Sequence, residues 1–333
     1  MSLTLNDLEW IFYMLSKLAL TSAKINNIAK TSGSPEAQMS SHLDQWLQRE
    51  GVARWGILEP HTKVLKTLLL DKTTAQNAAK ELVDTATLSL GPSDTAYRLW
   101  NLLFHTAASV STYVDHIVLL TLAIRKVHSS PQSPNTLSYS LWSHWQDTHS
   151  YYHTWRTLKS SSPDSLTGAE QWINFTTFSA ELIHHGDEMA LREIGITAFF
   201  DLRDALETTL ETRARNLSKN AVVTADQSLQ NDTVAAAQWI LYAGSELLHL
   251  ENDLFGDAWT KGLSKKTEFW DGEPGFSRAR WKFWAERFGE SAIDVEAREV
   301  AKEATRVIRR NLGSSNRGPR IHTSGSLSSR MGL

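Results

Sequence analysis

The stretch WSHWQDTHSYYHTW, residues 142–155, holds the densest set of side chains able to do chemistry in this chain. His149 and His153 stand four apart, so a helix brings both imidazoles to one face, with His144 and Asp147 close by. Two imidazoles so placed can hold zinc, but the glutamate of a His-Glu-x-x-His site is missing, and no metal is expected. The interleaved Trp142, Trp145, Tyr151, Tyr152 and Trp155 point to packing. The pattern leaves one candidate ligand set, His149, His153, Trp145 and Tyr152, whose rings would line a helical pocket for an apolar molecule. His184 and His185 are adjacent on a helix and point in different directions.

A second candidate is acidic. Asp201 and Asp204 share one helix, and Asn252, Asp253 and Asp257 sit on a later segment. The arrangement resembles class I terpene synthases, where two acidic helices hold magnesium around a diphosphate. The resemblance stops at the details: the first motif lacks the doubled aspartate, and Gly256 and Thr260 stand where a hydroxyl and a carboxylate are needed. No cofactor is expected. There is also no G-x-S-x-G elbow, no phosphate-binding G-x-x-x-x-G-K-[ST] loop and no dinucleotide-binding G-x-G-x-x-G after a strand.

The third candidate is DGEPGFSRARWKFWAERF, residues 271–288, a Gly/Pro turn followed by an aromatic and basic helix. Aromatic rings with interleaved cations can stack on nucleic-acid bases. Packing is the better reading. Ser277 is an N-cap, Phe276 before it can staple onto Trp281, and Trp281, Trp284 and Phe288 fall on one stripe. Lys282 and Glu286 are spaced to pair outside that stripe. Arg278, Lys282 and Arg287 remain as an outward contact face, for a partner other than nucleic acid.

These segments must be positioned by helices. Apolar residues recur at helical spacing and alternating runs are almost absent, so the fold expected is all-α, a single large multi-helix bundle of about nine to eleven helices. Leu8, Ile11, Phe12, Leu15 and Leu18 mark a first amphipathic helix. Ser34-Pro35 opens another, which buries Leu43, Trp46 and Leu47 and stops at Gly51. Ala78 and Leu82 belong to a further one, ended by Gly91-Pro92. Ser93-Asp94 caps a helix carrying Tyr97, Trp100 and Phe104, and the next, 112–126, is apolar nearly all round and belongs in the middle. Residues 129–136 and 159–165 read as loops. Thr167 and Glu170 form a capping box, and that helix is expected to stop at a left-handed Gly186, with Asp187 capping its successor. Residues 216–232 form a polar connection where two lobes could meet. Thr233 then caps a helix whose Ala235, Ala236, Ala237, Ala243 and Gly244 admit a close neighbour. The helical domain spans 1–310, and 311–333, Gly/Ser/Arg-rich without an acidic residue, reads as a disordered basic tail.

Composition sets the remaining bounds. With 333 residues and 41% hydrophobic content the chain can bury a substantial core. Residues 261–333 carry 15 Lys/Arg against 9 Asp/Glu, a net of +6, leaving -9 for residues 1–260. The C-terminal part could therefore face an acidic surface. There is no cysteine, which removes disulfides, thiolate nucleophiles and cysteine metal sites, and suits a reducing compartment. The first apolar stretch has acidic rather than basic residues before it, unlike a signal peptide, and no apolar run is long enough to span a bilayer. The sequons at Asn174, Asn216 and Asn231 are then chance matches.

Four stretches together resemble the filamentous-fungal proteins grouped as domain of unknown function 3632. They are YRLWNLLFHTA with LTLAIRKV, EQWINFTTFSAEL with FFDLRDALE, AAAQWILYAGSEL, and WDGEPGFSRARWKFWAERF with AREVAKEA. The likeness runs from about Tyr97 to Arg309. Ala279 departs from it, standing where the family has an acidic residue, and the His-rich block 144–153 is not a family feature. The resemblance implies a fungal, cytoplasmic helical protein, with the nucleus left open. Some members lie beside secondary-metabolite genes, and no catalytic residues are defined to carry over. The expectation is a non-catalytic accessory or interaction protein with an unknown protein partner, free of nucleic acid and membrane. The alternative is an enzyme or carrier acting on an apolar metabolite through the Trp/Tyr/His-lined pocket.

Overall fold

The computed structural model describes residues 41, 43–54, 57, 59–89, 92–127, 136–158, 166–186, 188–250, 257–291 and 295–314. Most of them are helical, with no strand among them, and the chain divides into two compact units at Lys72/Thr73. The helices around Leu8–Leu20 and Ser34-Pro35, the Gly91 stop, the loops 129–135 and 159–165, Asp187, Asn252, Asp253, Gly256 and 315–333 lie outside the described residues.

In the first unit, a helix burying Leu43 and Trp46 widens into a π-helical stretch, Leu47–Arg54, which runs past Gly51. The Gly51 carbonyl accepts from Ile57 N–H instead of ending the helix. Helix α1, Glu59–Leu69, follows, and Lys66 pairs with Asp44 at 2.6 Å. Its buried His61 has its pKa lowered by loss of solvent.

The second unit holds α2 (Ala75–Ser89), α3 (Pro92–Ser109), α4 (Val114–Lys126), α5 (Thr136–Trp155), α6 (Gly168–His185), α7 (Glu188–Leu206), α8 (Leu210–Asn216), α9 (Ala225–Leu248), α10 (Asp257–Leu263), α11 (Arg278–Ser291) and α12 (Val295–Ser314). Among the described residues the helices already exceed the expected nine to eleven, and α8 and α10, seven residues each, are too short to show a period. Helix α9 is the axis, packed against α6, α7, α8, α11 and α12. Its Gly244 does what the small residues promised: Val307 of α12 comes within 3.4 Å of where a β-carbon would sit. Helix α4 is buried along most of its length, as its composition demanded, although Leu119 is exposed. No single helix among the described residues is long and apolar enough to cross a membrane; α3 and α4 together meet that measure only as a pair bent by 117°.

Local signals held where they were complete. Thr167 and Glu170 form the capping box that starts α6. Others were misread. Helix α9 begins not at Thr233 but two polar turns earlier, where Thr224 and Gln227 form a second capping box, leaving Thr233 buried in mid-helix. Only 217–224 of the polar connection is loop, and it lies inside the second unit. Gly186 is extended (φ -81°, ψ -166°), not left-handed. Glycine is needed there for space: a β-carbon would stand 2.2 Å from the Leu182 carbonyl oxygen and 2.6 Å from Ala190 Cβ. Helix α12 continues through Ser314, four residues beyond the expected end of the domain.

The core is aromatic. Trp100 stacks on Phe104, which meets Phe175 and Phe178 with centroids at 6.0 and 5.7 Å. Its indole N–H donates to the Leu137 carbonyl at 3.0 Å, tying α3 to α5. Such rings supply large buried area, and their polar tips need a partner once buried.

Candidate functional site

Of the four candidate ligand residues of α5, Trp145, His149 and Tyr152 are buried and His153 is half-buried. Trp145 is buried against Phe175, and its indole N–H donates to Ser179 Oγ at 2.9 Å. Tyr152 is buried and hydrogen-bonds through its hydroxyl to His105 Nδ1 of α3. His149 is 8% exposed, tilted on Trp145 and edge-on to Trp172. Its Nε2 lies 3.0 Å from Asp201 Oδ2 of α7, and Trp239 Nε1 of α9 donates to that same oxygen at 3.1 Å. The carboxylate is thus shared between an imidazole and an indole, and three helices are joined at one point.

His153 shares the face of His149 as the spacing required, the rings stacked at 6.2 Å. Beyond it, Arg156 donates to Asp232 Oδ1 at 2.7 Å, and Arg213 of α8 donates to Asp232 Oδ2. Asp232 is 8% exposed. Burial alone would raise its pKa, but Arg156 and then Arg213 outweigh that and hold it below the ordinary carboxylate range. Asp201 and Asp204 do not act together: Asp201 turns inward, while Asp204 faces outward and pairs with Arg203 at 3.3 Å. Among the described residues no three His, Asp or Glu side chains converge as metal ligands would.

Two groups give the second unit a pH dependence. Burial, helped by Arg156 and opposed by Asp201 and Asp232, pushes the His153 pKa down to about 4. Its folded pKa lies below its unfolded value of about 6.5, so its contribution is present above that value and is lost as pH falls towards 4. At the far end of α6, burial and then Asp115 push Glu181 up to about 7, with Glu246 adding and His184 opposing. Its contribution has the opposite sign, present below the unfolded value of about 4.5 and lost as pH rises through about 7. Urea melts from pH 4 to 8 should show that His153→Gln flattens the acid limb and Glu181→Gln the limb rising to 7. Unchanged limbs would contradict these assignments.

The aromatic-basic helix α11 is a core helix, as its cap and stripe indicated. Ser277 Oγ accepts from Arg280 N–H at 3.2 Å, Phe276 stacks on Trp281 at 5.9 Å, and Trp281, Trp284 and Phe288 are buried. The unforeseen residue is Arg280. It is buried and grips Glu207, at the end of α7, through Nε and Nη2, both at 2.7 Å. Glu207 also accepts from Trp284 Nε1 at 2.7 Å and from Thr267 Oγ1 at 2.8 Å, so four donors meet one carboxylate. The guanidinium also lies over the rings of Phe199 and Trp270, 4.7 and 5.5 Å from their centroids.

The three residues of the contact face part company. Arg278 donates to the Leu312 carbonyl of α12, capping that helix's last turn. Arg287 donates to the Leu206 carbonyl at 3.0 Å, pairs with Glu290 and covers Phe269. Lys282 stays exposed and makes no ion pair with Glu286 among the described residues. It lines an open groove of about 560 Å³ with Trp270, Glu273, Arg278, Phe283 and Glu286.

Residues 100–288 match the family described as protein of unknown function DUF3632. The chain belongs to that family. The matched span starts at the buried Trp100, ends at the buried Phe288, and takes in the His149–Asp201–Trp239 junction, the Asp232 cluster, the Glu207–Arg280 pair and the groove residues 270–286. In this family member the ion pair and the groove are therefore parts of the family region, whereas α12 lies beyond it. Searches of curated proteins and of solved structures found no match.

Four of the residues that organise these sites, Glu207, Arg213, Asp232 and Trp239, carried no chemical motif, although Glu207 and Trp239 lie in stretches that carried the family resemblance. The one signal available was a charged side chain inside an otherwise periodic helix face, as with Arg280 beside Trp281 and Trp284.

Proposed function

We propose that the protein is a non-catalytic accessory or interaction protein that meets a protein partner through the α11 groove. What carries this reading is the use made of the chemical side chains: the imidazole of His149, the hydroxyl of Tyr152 and the indole of Trp145 are each spent on an internal partner. A carrier or enzyme built on those rings would need them to face a ligand, and they face one another. The groove, in contrast, offers the rings of Trp270 and Phe283 with Glu273, Lys282 and Glu286 at its edge, a rim-and-anchor composition suited to a protein contact. The proposal extends to the setting that the fungal resemblance implied, a cytoplasmic protein attached to a secondary-metabolite pathway.

The test is quantitative mass spectrometry of proteins recovered from fungal lysate with tagged full-length chain and with a Lys282→Glu/Glu286→Lys variant. A reproducible partner whose recovery falls about tenfold in the variant is expected, the size of an interface hot spot. No reproducible partner, or recovery indifferent to the groove, would overturn the reading.

A further inference from the structure

We propose that the segment 259–270 is a docking surface for an anionic phospholipid bilayer, with Trp259 and Phe269 as its apolar anchors and Lys261, Lys265 and Lys266 as its charge. The first argument is exposure. Trp259 and Phe269 are 39% and 41% exposed, and the three lysines between them are exposed and make no ion pair among the described residues. One acidic residue of the segment opposes them. Glu268 accepts from Thr209 N–H at 2.6 Å and from the Thr212 hydroxyl, and one carboxylate against three ammonium groups leaves the segment positive.

The second argument is that the segment is held in shape before anything binds. Trp259 rests on Phe200 of α7, with centroids 5.8 Å apart, and Arg203 of the same helix donates to the Gly262 carbonyl at 3.4 Å. Thr267 Oγ1 donates to the buried Glu207 at 2.8 Å. Phe269 lies under the Arg287 guanidinium, 4.3 Å from its centroid, and Arg287 in turn donates to the Leu206 carbonyl. Both rings are thus fastened near Phe200 and Leu206, which are about 9 Å apart along α7. Docking would therefore cost little further ordering of the chain.

The third argument is chemistry. Lysine is depleted where two proteins meet, and arginine is favoured there. Tryptophan and phenylalanine beside lysines suit the headgroup layer instead: the rings sit at the acyl boundary and the ammonium groups meet anionic lipid. Such a contact lies on the membrane and needs no span, so helix length has no bearing on it. None of the five residues lines the α11 groove, and the inference does not depend on the partner proposed above.

The test is cosedimentation of the full-length chain with vesicles of phosphatidylcholine and phosphatidylserine, three to one, beside vesicles of phosphatidylcholine alone. Binding to the mixed vesicles is expected, weakening as salt is raised, with binding to the neutral ones at least about tenfold weaker. Each of Lys261→Gln, Lys265→Gln and Lys266→Gln should weaken it about fivefold, and Trp259→Ser/Phe269→Ser at least about tenfold. Trp259→Phe reports position. It should keep most of the binding yet remove most of the tryptophan quenching caused by phosphatidylcholine with brominated acyl chains. These are surface changes, and circular dichroism confirms that each variant is folded. No binding, equal binding to neutral vesicles, binding indifferent to the lysines or to the two rings, or quenching that survives Trp259→Phe would overturn the proposal. Duplex DNA held by the same lysines as tightly as the vesicles, with both rings removed, would overturn it too.

Discussion

Replacing Glu207 by alanine should lower the stability of the second unit by about 3–5 kcal/mol, the cost of stranding a buried charge. The size follows from the four donors it serves. Arg280 loses two hydrogen bonds and its counter-ion while 1% exposed, and Trp284 Nε1 and Thr267 Oγ1 lose their acceptor. The rings of Phe199, Trp270 and Trp284 around the guanidinium repay only part of the lost interaction. Replacing both partners, Glu207→Leu/Arg280→Leu, should cost less than the sum of the two single changes, because no charge is left behind. Urea denaturation of the four chains gives the coupling directly. A loss under about 1 kcal/mol for Glu207→Ala would mean that water reaches the pair and that α11 is not fastened through it.

Asp232→Ala should cost about 2–4 kcal/mol, somewhat less because Arg156 retains some access to water. Arg213, at 7% side-chain exposure, would keep its bond to the Asp204 carbonyl but lose its counter-ion. Asp232→Asn should recover part of the loss by accepting one of the two arginines. The same aspartate accounts for the misplaced start of α9. Residues 225–232 look like loop because they are polar, yet Ser228 and Asp232 are buried on the face that receives Arg213. A polar turn is held helical here by inward charge pairing, a tertiary effect that propensity and periodicity do not register.

What the sequence made legible was local. The Thr167–Glu170 box, the Phe276–Trp281 staple and the shared face of His149 and His153 all join residues within five positions of one another, so spacing alone decides them. The bonds that define the candidate sites reach much farther: 38 residues from Trp239 to Asp201, 52 from His149 to Asp201, 73 from Arg280 to Glu207 and 76 from Arg156 to Asp232. Asp201 illustrates the limit. Beside Asp204 it read as half of an acidic pair, and only the packing of α7 against α9 shows that one points inward and the other to solvent. Arg278, Lys282 and Arg287 likewise read as equals on one outward face, although neighbours on other elements claim two of them.

The central claim is that Trp145, His149 and Tyr152 of α5 hold the fold and are closed to solvent. Carbethoxylation of the histidines by diethylpyrocarbonate in the native full-length chain, resolved residue by residue by mass spectrometry, tests it most directly. His184 and His185 have side chains about half exposed and should react readily. His149, 8% exposed and hydrogen-bonded to Asp201, should react at least about tenfold more slowly, reaching the rate of the exposed pair only on unfolding. Modification of native His149 at the rate of His184 and His185 would mean an open imidazole and a ligand-facing site, and would contradict the account.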